Sequence, residues 1–157
     1  MYSGQGPIDE VRCRYVSIRR SAAARRKPIL GDFLLKTIAE RLREVIRVGD
    51  FAARLGGDEF IVIQAGICEK AQADVFARRL SSALMVPIKF GENEIGATVS
   101  VGISLAPSDG TDPERLLKSA DLALYKSKAD GRNCIRLFDA MQARTELERT
   151  LRDARPP

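Results

Sequence analysis

Hydrophobic residues recur along the chain with two different periods, and these predict helices and strands in separate segments. From Asp32 to about residue 47, apolar residues recur every three or four positions, as on one face of an amphipathic helix. A second helical stripe covers residues 75–84, and a third segment begins with Pro113, a favoured first residue of helices. We therefore predict three helices, the first capped by Asp32.

The segments between these helices have the patterns of strands. Two short strands, residues 51–55 and 60–63, flank Gly56 and Gly57, which predicts a tight β-hairpin. Residues 95–105 alternate between apolar and polar positions, as expected of a strand with one face on the core. With shorter strands on either side, the order of elements predicts an α+β fold with a mainly antiparallel sheet flanked by helices.

Composition narrows the class of protein. A chain of 157 residues with 45% hydrophobic residues has the size of one globular domain and can bury a core. No run approaches the roughly 20 apolar residues of a membrane span, and the start has no signal-peptide pattern, so we expect a cytoplasmic protein without a membrane segment. The absence of histidine excludes the common zinc sites and histidine-based triads. Any metal must then be held by carboxylates, which favours Mg²⁺ or Mn²⁺.

The positive charge is concentrated at the beginning of the chain. Residues 1–30 contain seven basic and two acidic residues, and the remainder contains 19 of each. We interpret residues 1–29 as an atypical basic leader that is disordered or misassigned. An arm for nucleic acid or anionic lipid and a solvated end without a partner both fit this composition. We predict no specific nucleic-acid partner.

The candidate chemistry lies at the tip of the predicted hairpin. Asp58 and Glu59 directly follow Gly56 and Gly57, at the end of apolar strands. A turn without side chains lets a bulky ligand approach the backbone, and adjacent carboxylates can hold a divalent ion. On these four residues alone, an ordinary solvent-exposed hairpin is the alternative.

The string GGDEF at residues 56–60 resembles the signature of the GGDEF family of diguanylate cyclases. Further segments resemble the family in the same order and spacing, at residues 31–35, 47–50, 99–103 and 120–133. The resemblance implies the nucleotidyl cyclase-like, or palm-like, GGDEF fold over residues 30–139. It also implies a reaction in which two GTP form cyclic di-GMP and two pyrophosphates.

In that reaction the 3′ hydroxyl of one GTP attacks the α-phosphate of the other, with Mg²⁺ or Mn²⁺ as the metal. Each domain of the family holds one nucleotide, so the resemblance implies a homodimer for catalysis. It assigns Asp58 and Glu59 to the catalytic metal site and places Gly56 and Gly57 along the nucleotide. Asp32 would recognise the guanine base, with a role as helix cap as its alternative.

The resemblance also assigns four residues outside the hairpin. Lys128 and Arg132 would neutralise the triphosphate, although Lys128 also suits a helix C-terminus and Arg132 an ordinary surface position. Arg47 and Asp50 match the inhibitory site at which the family binds its product, cyclic di-GMP. The alternative is a helix-end arginine followed by a turn aspartate.

The chain departs from the family before residue 30. The family has a strand ending Asp-x-Asp-x-Phe-Lys and then a guanine-binding asparagine, and residues 1–29 contain neither. We therefore expect a fold that lacks its first strand-helix portion, and a cyclase that is impaired. The alternative function is a non-catalytic GGDEF module that binds GTP or cyclic di-GMP and regulates a partner or an EAL phosphodiesterase.

The end of the chain has the pattern of a charged helix. Residues 140–157 resemble the linkers that join GGDEF domains to EAL phosphodiesterase domains. The sequence therefore predicts a helical linker there and a possible EAL domain in the parent protein.

Overall fold

The computed structural model describes residues 13–21, 28–66, 69–96, 98–129 and 133–145. Its strands and helices follow in the order β1 Cys13–Ser21, α1 Pro28–Val45, β2 Phe51–Gly56, β3 Glu59–Ala65, α2 Lys70–Met85, β4 Ile88–Phe90, β5 Asn93–Ile95, β6 Thr98–Leu105, α3 Pro113–Ala129 and β7 Ile135–Leu137. A further helical segment covers residues 140–145.

Five of the strands form one sheet in the order β2-β3-β1-β6-β7, and β4 pairs with β5 in a separate hairpin. Neighbours in the large sheet are antiparallel except for β6 and β7, which are parallel. The predicted α+β class, with a mainly antiparallel sheet flanked by helices, is confirmed.

The expectation that the fold lacks its first strand is wrong, because residues of the basic leader occupy the centre of the sheet. On one side of β1, Cys13 pairs with Ala65 and Arg19 with Glu59 on β3; on the other side β1 pairs with β6. Without this strand the facing backbone groups of β3 and β6 would have no partners. The leader supplies strand-forming residues for this position, including Val16. Residues 1–12 and 22–27 lie outside the described part of the chain.

The first long helix begins before Asp32, its predicted cap. It starts at Pro28, where the fixed φ of proline suits a first helical position. Asp32 therefore lies inside α1 and is exposed, so the interpretation of Asp32 as a helix cap is wrong.

Helices cover both faces of the sheet. On one face, α1 and α2 pack against alternate residues of β3 and β6 in one buried cluster, which includes Ile38, Leu42, Phe60, Val62, Phe76, Leu80, Leu84, Val101 and Ile103. On the other face, α3 approaches β6 so closely that a Cβ at Gly102 would lie 2.1 Å from the backbone oxygen of Ala120. Glycine at this position is what allows α3 to contact the sheet.

Candidate functional site

The signature residues form the tip of the β2–β3 hairpin. The two strands pair from Phe51 opposite Ile63 to Gly56 opposite Glu59. The two turn residues are therefore Gly57 and Asp58, one position later than the sequence predicts. Gly57 has a φ of 52°, as in hairpin turns that place glycine at the first central position.

The two signature carboxylates stand next to each other at this tip. Asp58 belongs to the turn, Glu59 begins β3, and both side chains are half-buried. In the register of the sheet, the central strand places Arg19 opposite Glu59. The tip of the hairpin is thus paired with a basic position of β1.

This arrangement does not complete a metal site. No acidic residue occurs in Cys13–Ser21. Among the described residues, no three histidine, cysteine, aspartate or glutamate side chains are grouped closely enough to hold an ion. The hairpin therefore offers two adjacent carboxylates, whereas a bound magnesium usually needs further ligands in an octahedral set.

A cleft of about 480 Å³ lies between α1 and the hairpin strands, and we call it the α1–hairpin cleft. It brings Asp32 of α1 together with Arg54 of β2 and with Phe60, the last residue of the signature. Apolar side chains of α1, of the residue after it and of β2 form much of its wall: Leu35, Ala39, Leu42, Ile46, Ala52 and Ala53. A volume of this size is typical of sites for small molecules.

The polar lining of the α1–hairpin cleft is mainly basic. Lys36 and Arg43 follow Asp32 on the same helix, and Arg54 faces them from the hairpin. Three cationic groups and one carboxylate suit a ligand that carries negative charge and also presents hydrogen-bond donors.

Arg54 is a cleft residue without an assigned role in the sequence predictions. Its Nε donates a hydrogen bond of 3.0 Å to the backbone oxygen of Gly57. This bond ties the guanidinium to the turn, next to Asp58. Its position two residues before Gly56 was the available signal, but a single arginine in a short strand is not distinctive.

The Arg47 and Asp50 pair forms a tight turn between α1 and β2. The backbone N–H of Asp50 donates to the backbone oxygen of Arg47 at 3.0 Å, and Asp50 Oδ2 accepts from the backbone N–H of Arg47 at 3.0 Å. The same oxygen accepts a hydrogen bond of 2.6 Å from Nε2 of Gln64 on β3. The aspartate thus closes the turn. This geometry agrees with the alternative of a helix-end arginine followed by a turn aspartate, and also with a binding role.

A second cavity, also about 480 Å³, lies beside this turn, and we call it the Arg47 cavity. Arg79 of α2 lines it together with Arg47, as do Val75 and Phe76. The Arg79 guanidinium lies 5.4 Å from the centre of the Phe76 ring and donates to the backbone oxygen of Val45 at 3.0 Å. Arg79 lies 32 positions from Arg47 along the chain, and no local motif marks it as a site residue.

The side chains of the two predicted triphosphate ligands lie outside the described part of the chain. The backbone of Lys128 belongs to the last turn of α3, but its side chain lies outside the described part. Arg132 lies entirely outside the described residues. Their assigned roles remain predictions.

The comparisons with known proteins define the class of protein. Residues 29–134 match the family described as diguanylate cyclase, GGDEF domain, so the chain belongs to the GGDEF family. This confirms the resemblance drawn from the signature. The family generally uses divalent metal ions.

Individual relatives carry different names. The chain is 43% identical over 130 residues to an uncharacterized signaling protein of Caulobacter vibrioides, covering 79% of this chain and 16% of that protein. It is 41% identical over 132 residues to the cyclic di-GMP phosphodiesterase NbdA of Pseudomonas aeruginosa, covering 78% and 17%. The chain therefore spans about a sixth of the length of these curated relatives.

A solved structure gives the same picture for the fold. The GGDEF domain of TpbB from Pseudomonas aeruginosa superposes with a TM-score of 0.74 at 30% identity, covering 82% of this chain and 83% of that one. Among the residues described here, no helix combines the length and apolar character needed to cross a bilayer.

Proposed function

We propose that this chain is a diguanylate cyclase-type GGDEF domain that binds GTP in the α1–hairpin cleft and is impaired in turnover. The observation that carries the proposal is that Asp32 and the signature hairpin line one cleft of suitable size. Asp32 provides an exposed carboxylate that can accept hydrogen bonds from the N1 and N2 donors of guanine. Adenine has no donors at these two positions.

The basic groups of the cleft would take the phosphates. Arg54 stands at the hairpin tip, where Gly56 and Gly57 add no side chains to block a ligand. Lys128 and Arg132 are the further triphosphate ligands that the family pattern supplies. The guanine base of the nucleotide would then lie next to Asp32, and its phosphates would lie next to the hairpin.

The reaction would need a metal ion, and this chain supplies only part of the ligand set for it. In the family pattern, Mg²⁺ or Mn²⁺ would neutralise the reacting oxygens, with Asp58 and Glu59 as hairpin ligands. Because β1 adds no carboxylate, we assign the residues of this chain to binding and orienting the nucleotide only. Condensation of two GTP would further require a homodimer with two clefts face to face.

Titration of the purified chain with GTP and ATP by calorimetry tests this proposal. We expect GTP to bind about tenfold more tightly, since hydrogen bonds to a charged group contribute about 1.5 kcal/mol or more. Asp32→Ala should remove this preference, and Arg54→Gln should weaken both nucleotides alike. Asp121→Ala, an exposed aspartate on α3, is the matched control. Equal binding of GTP and ATP by the unaltered chain would reject guanine recognition.

A second candidate function is a regulatory module that binds cyclic di-GMP without catalysis. The observation in its favour is that Arg47 and Arg79 line one cavity next to the Asp50 turn. Guanidinium groups bind phosphates and guanine edges through paired hydrogen bonds. Occupation of the Arg47 cavity does not depend on a metal at the hairpin, so this function survives the loss of the first carboxylate.

Arg47→Ala is expected to weaken cyclic di-GMP binding by about 2 kcal/mol, roughly thirtyfold, through loss of a charged bidentate contact. Calorimetry measures the affinity. Arg78→Ala serves as the control, because Arg78 pairs with Asp74 on the exposed side of α2 at 2.6 Å. Unchanged affinity in the Arg47 variant would leave this arginine as an ordinary helix-end residue.

The proposal also includes a neighbouring domain and a cellular location. Residues 140–157 would connect the domain to a following EAL phosphodiesterase domain, and one relative carries the name cyclic di-GMP phosphodiesterase. We place the domain in the cytoplasm, where GTP is available.

A further inference from the structure

Gln64 on β3 is a polar side chain where the fold calls for an apolar one. It follows Phe60 and Val62 on the side of the strand that faces the core, and its exposed fraction is 0%. Burial of an amide is unfavourable unless its groups find hydrogen-bond partners. The folding of the core therefore gives no reason for glutamine at this position.

Only the nitrogen of the Gln64 amide has a hydrogen-bond partner among the described residues. Its Nε2 donates to Asp50 Oδ2 at 2.6 Å, while its Oε1 is buried without a hydrogen-bond partner among the described residues. A half-satisfied buried amide adds little to stability and can lower it. Its one bond is directed at the carboxylate that closes the Arg47 turn.

We propose that Gln64 is a positioning residue of the cyclic di-GMP site and holds the Asp50 turn ready for the ligand. The proposal rests on the proposed binding of cyclic di-GMP at the Arg47 cavity. With Gln64 and the backbone N–H of Arg47 on one oxygen, the carboxylate is fixed between the turn and β3. A turn fixed in this way loses less conformational freedom when the ligand binds.

The placement of Gln64 also links the two candidate sites. β3 begins at Glu59 in the signature hairpin and reaches Gln64 five residues later. The only side chain-to-side chain hydrogen bond that the structure gives between the Arg47 turn and this strand, within the described residues, is the one from Gln64 to Asp50. This bond therefore joins the Arg47 turn to the strand that begins at the signature hairpin.

The variant Gln64→Met tests the proposal, because methionine has a similar length and no amide. We expect its stability in a denaturant titration to equal or exceed that of the parent chain, since an unpaired buried acceptor is removed. We expect its affinity for cyclic di-GMP to fall roughly tenfold, about the effect of one hydrogen bond to a charged group. Gln142→Met, in the segment after β7, is the matched control and should change neither quantity.

A double-mutant cycle separates positioning from general disturbance of the cavity. In the Asp50→Ala background, Gln64→Met should cause no further loss of affinity, because the amide then has no carboxylate to hold. Additive losses, or full affinity in the single variant, would overturn the proposal.

Hydrogen–deuterium exchange gives a readout that needs no ligand. The amide of Arg47, which donates to Asp50, should exchange faster in Gln64→Met than in the parent, while amides of α3 stay unchanged. If the parent chain binds no cyclic di-GMP, the regulatory function fails, and the exchange rate of Arg47 still decides the positioning role. An unchanged rate there would overturn it.

Discussion

Incubated with GTP and either Mg²⁺ or Mn²⁺, the 157-residue chain is expected to form no measurable cyclic di-GMP. In-line transfer between two triphosphates needs the charge at the reacting oxygens to be neutralised by a firmly held metal. The hairpin supplies Asp58 and Glu59, but the central strand beside it places Arg19 opposite Glu59. We expect turnover to be lower by on the order of 10³-fold or more than in a chain with a complete metal site.

The comparison requires a version in which only the central strand is changed. Residues 13–21 would be replaced by a family segment that ends Asp-x-Asp-x-Phe-Lys, so that a carboxylate strand runs beside the hairpin. Pyrophosphate release is followed for both proteins over a range of concentrations, because the reaction needs two domains. Equal turnover in the two proteins would show that the leader supplies a ligand in another way, and the proposed impairment would be wrong.

Much of the fold follows from local patterns in the sequence. The alternation in residues 95–105 predicts β6, and the two glycines at 56 and 57 predict the hairpin, because both signals act over a few residues. The start of α1 was misplaced because Asp32 was interpreted as the helix cap, whereas the first turn, from Pro28 to Gly31, precedes it. Helix ends are set by single residues, and a periodic pattern locates them poorly.

The central strand could not be predicted from its own residues. Residues 13–21 include three arginines and two serines among the strand formers, a pattern that also fits a solvated leader. Their place in the sheet comes from pairing with β3 and β6, which are distant in sequence. Such pairing depends on tertiary context, which outweighs local β propensity.

In the candidate site, too, residues of local motifs were predictable and residues brought together by the fold were not. The family signature identified Asp32 and the hairpin, and the fold brings both to one cleft. Arg79 and Gln64 could not be predicted as site residues, because each lies beside a residue that is distant along the chain. A lone arginine on a helix resembles a solvated surface residue, and a lone glutamine in a strand carries no signal until Asp50 is found beside it.

In the version whose central strand carries the family carboxylates, Asp58→Ala is expected to abolish turnover and leave the fold intact. Asp58 is a half-buried turn residue at the hairpin tip, outside the buried cluster of α1, α2 and the sheet. Its removal takes a ligand from the metal site without opening a cavity in the core. We expect turnover to fall by on the order of 10³-fold and the unfolding temperature to stay nearly the same.

Asp112→Ala provides a control that is expected to lower stability and leave turnover unchanged. Asp112 precedes α3, and its Oδ2 accepts a hydrogen bond of 2.9 Å from the backbone N–H of Arg115, so it caps that helix. Its loss should cost about 1 kcal/mol of stability, as for other helix caps, and leave turnover per folded molecule unchanged. Thermal unfolding by circular dichroism and pyrophosphate release are measured for both variants. Substantial turnover in the Asp58 variant would exclude this carboxylate as a required metal ligand.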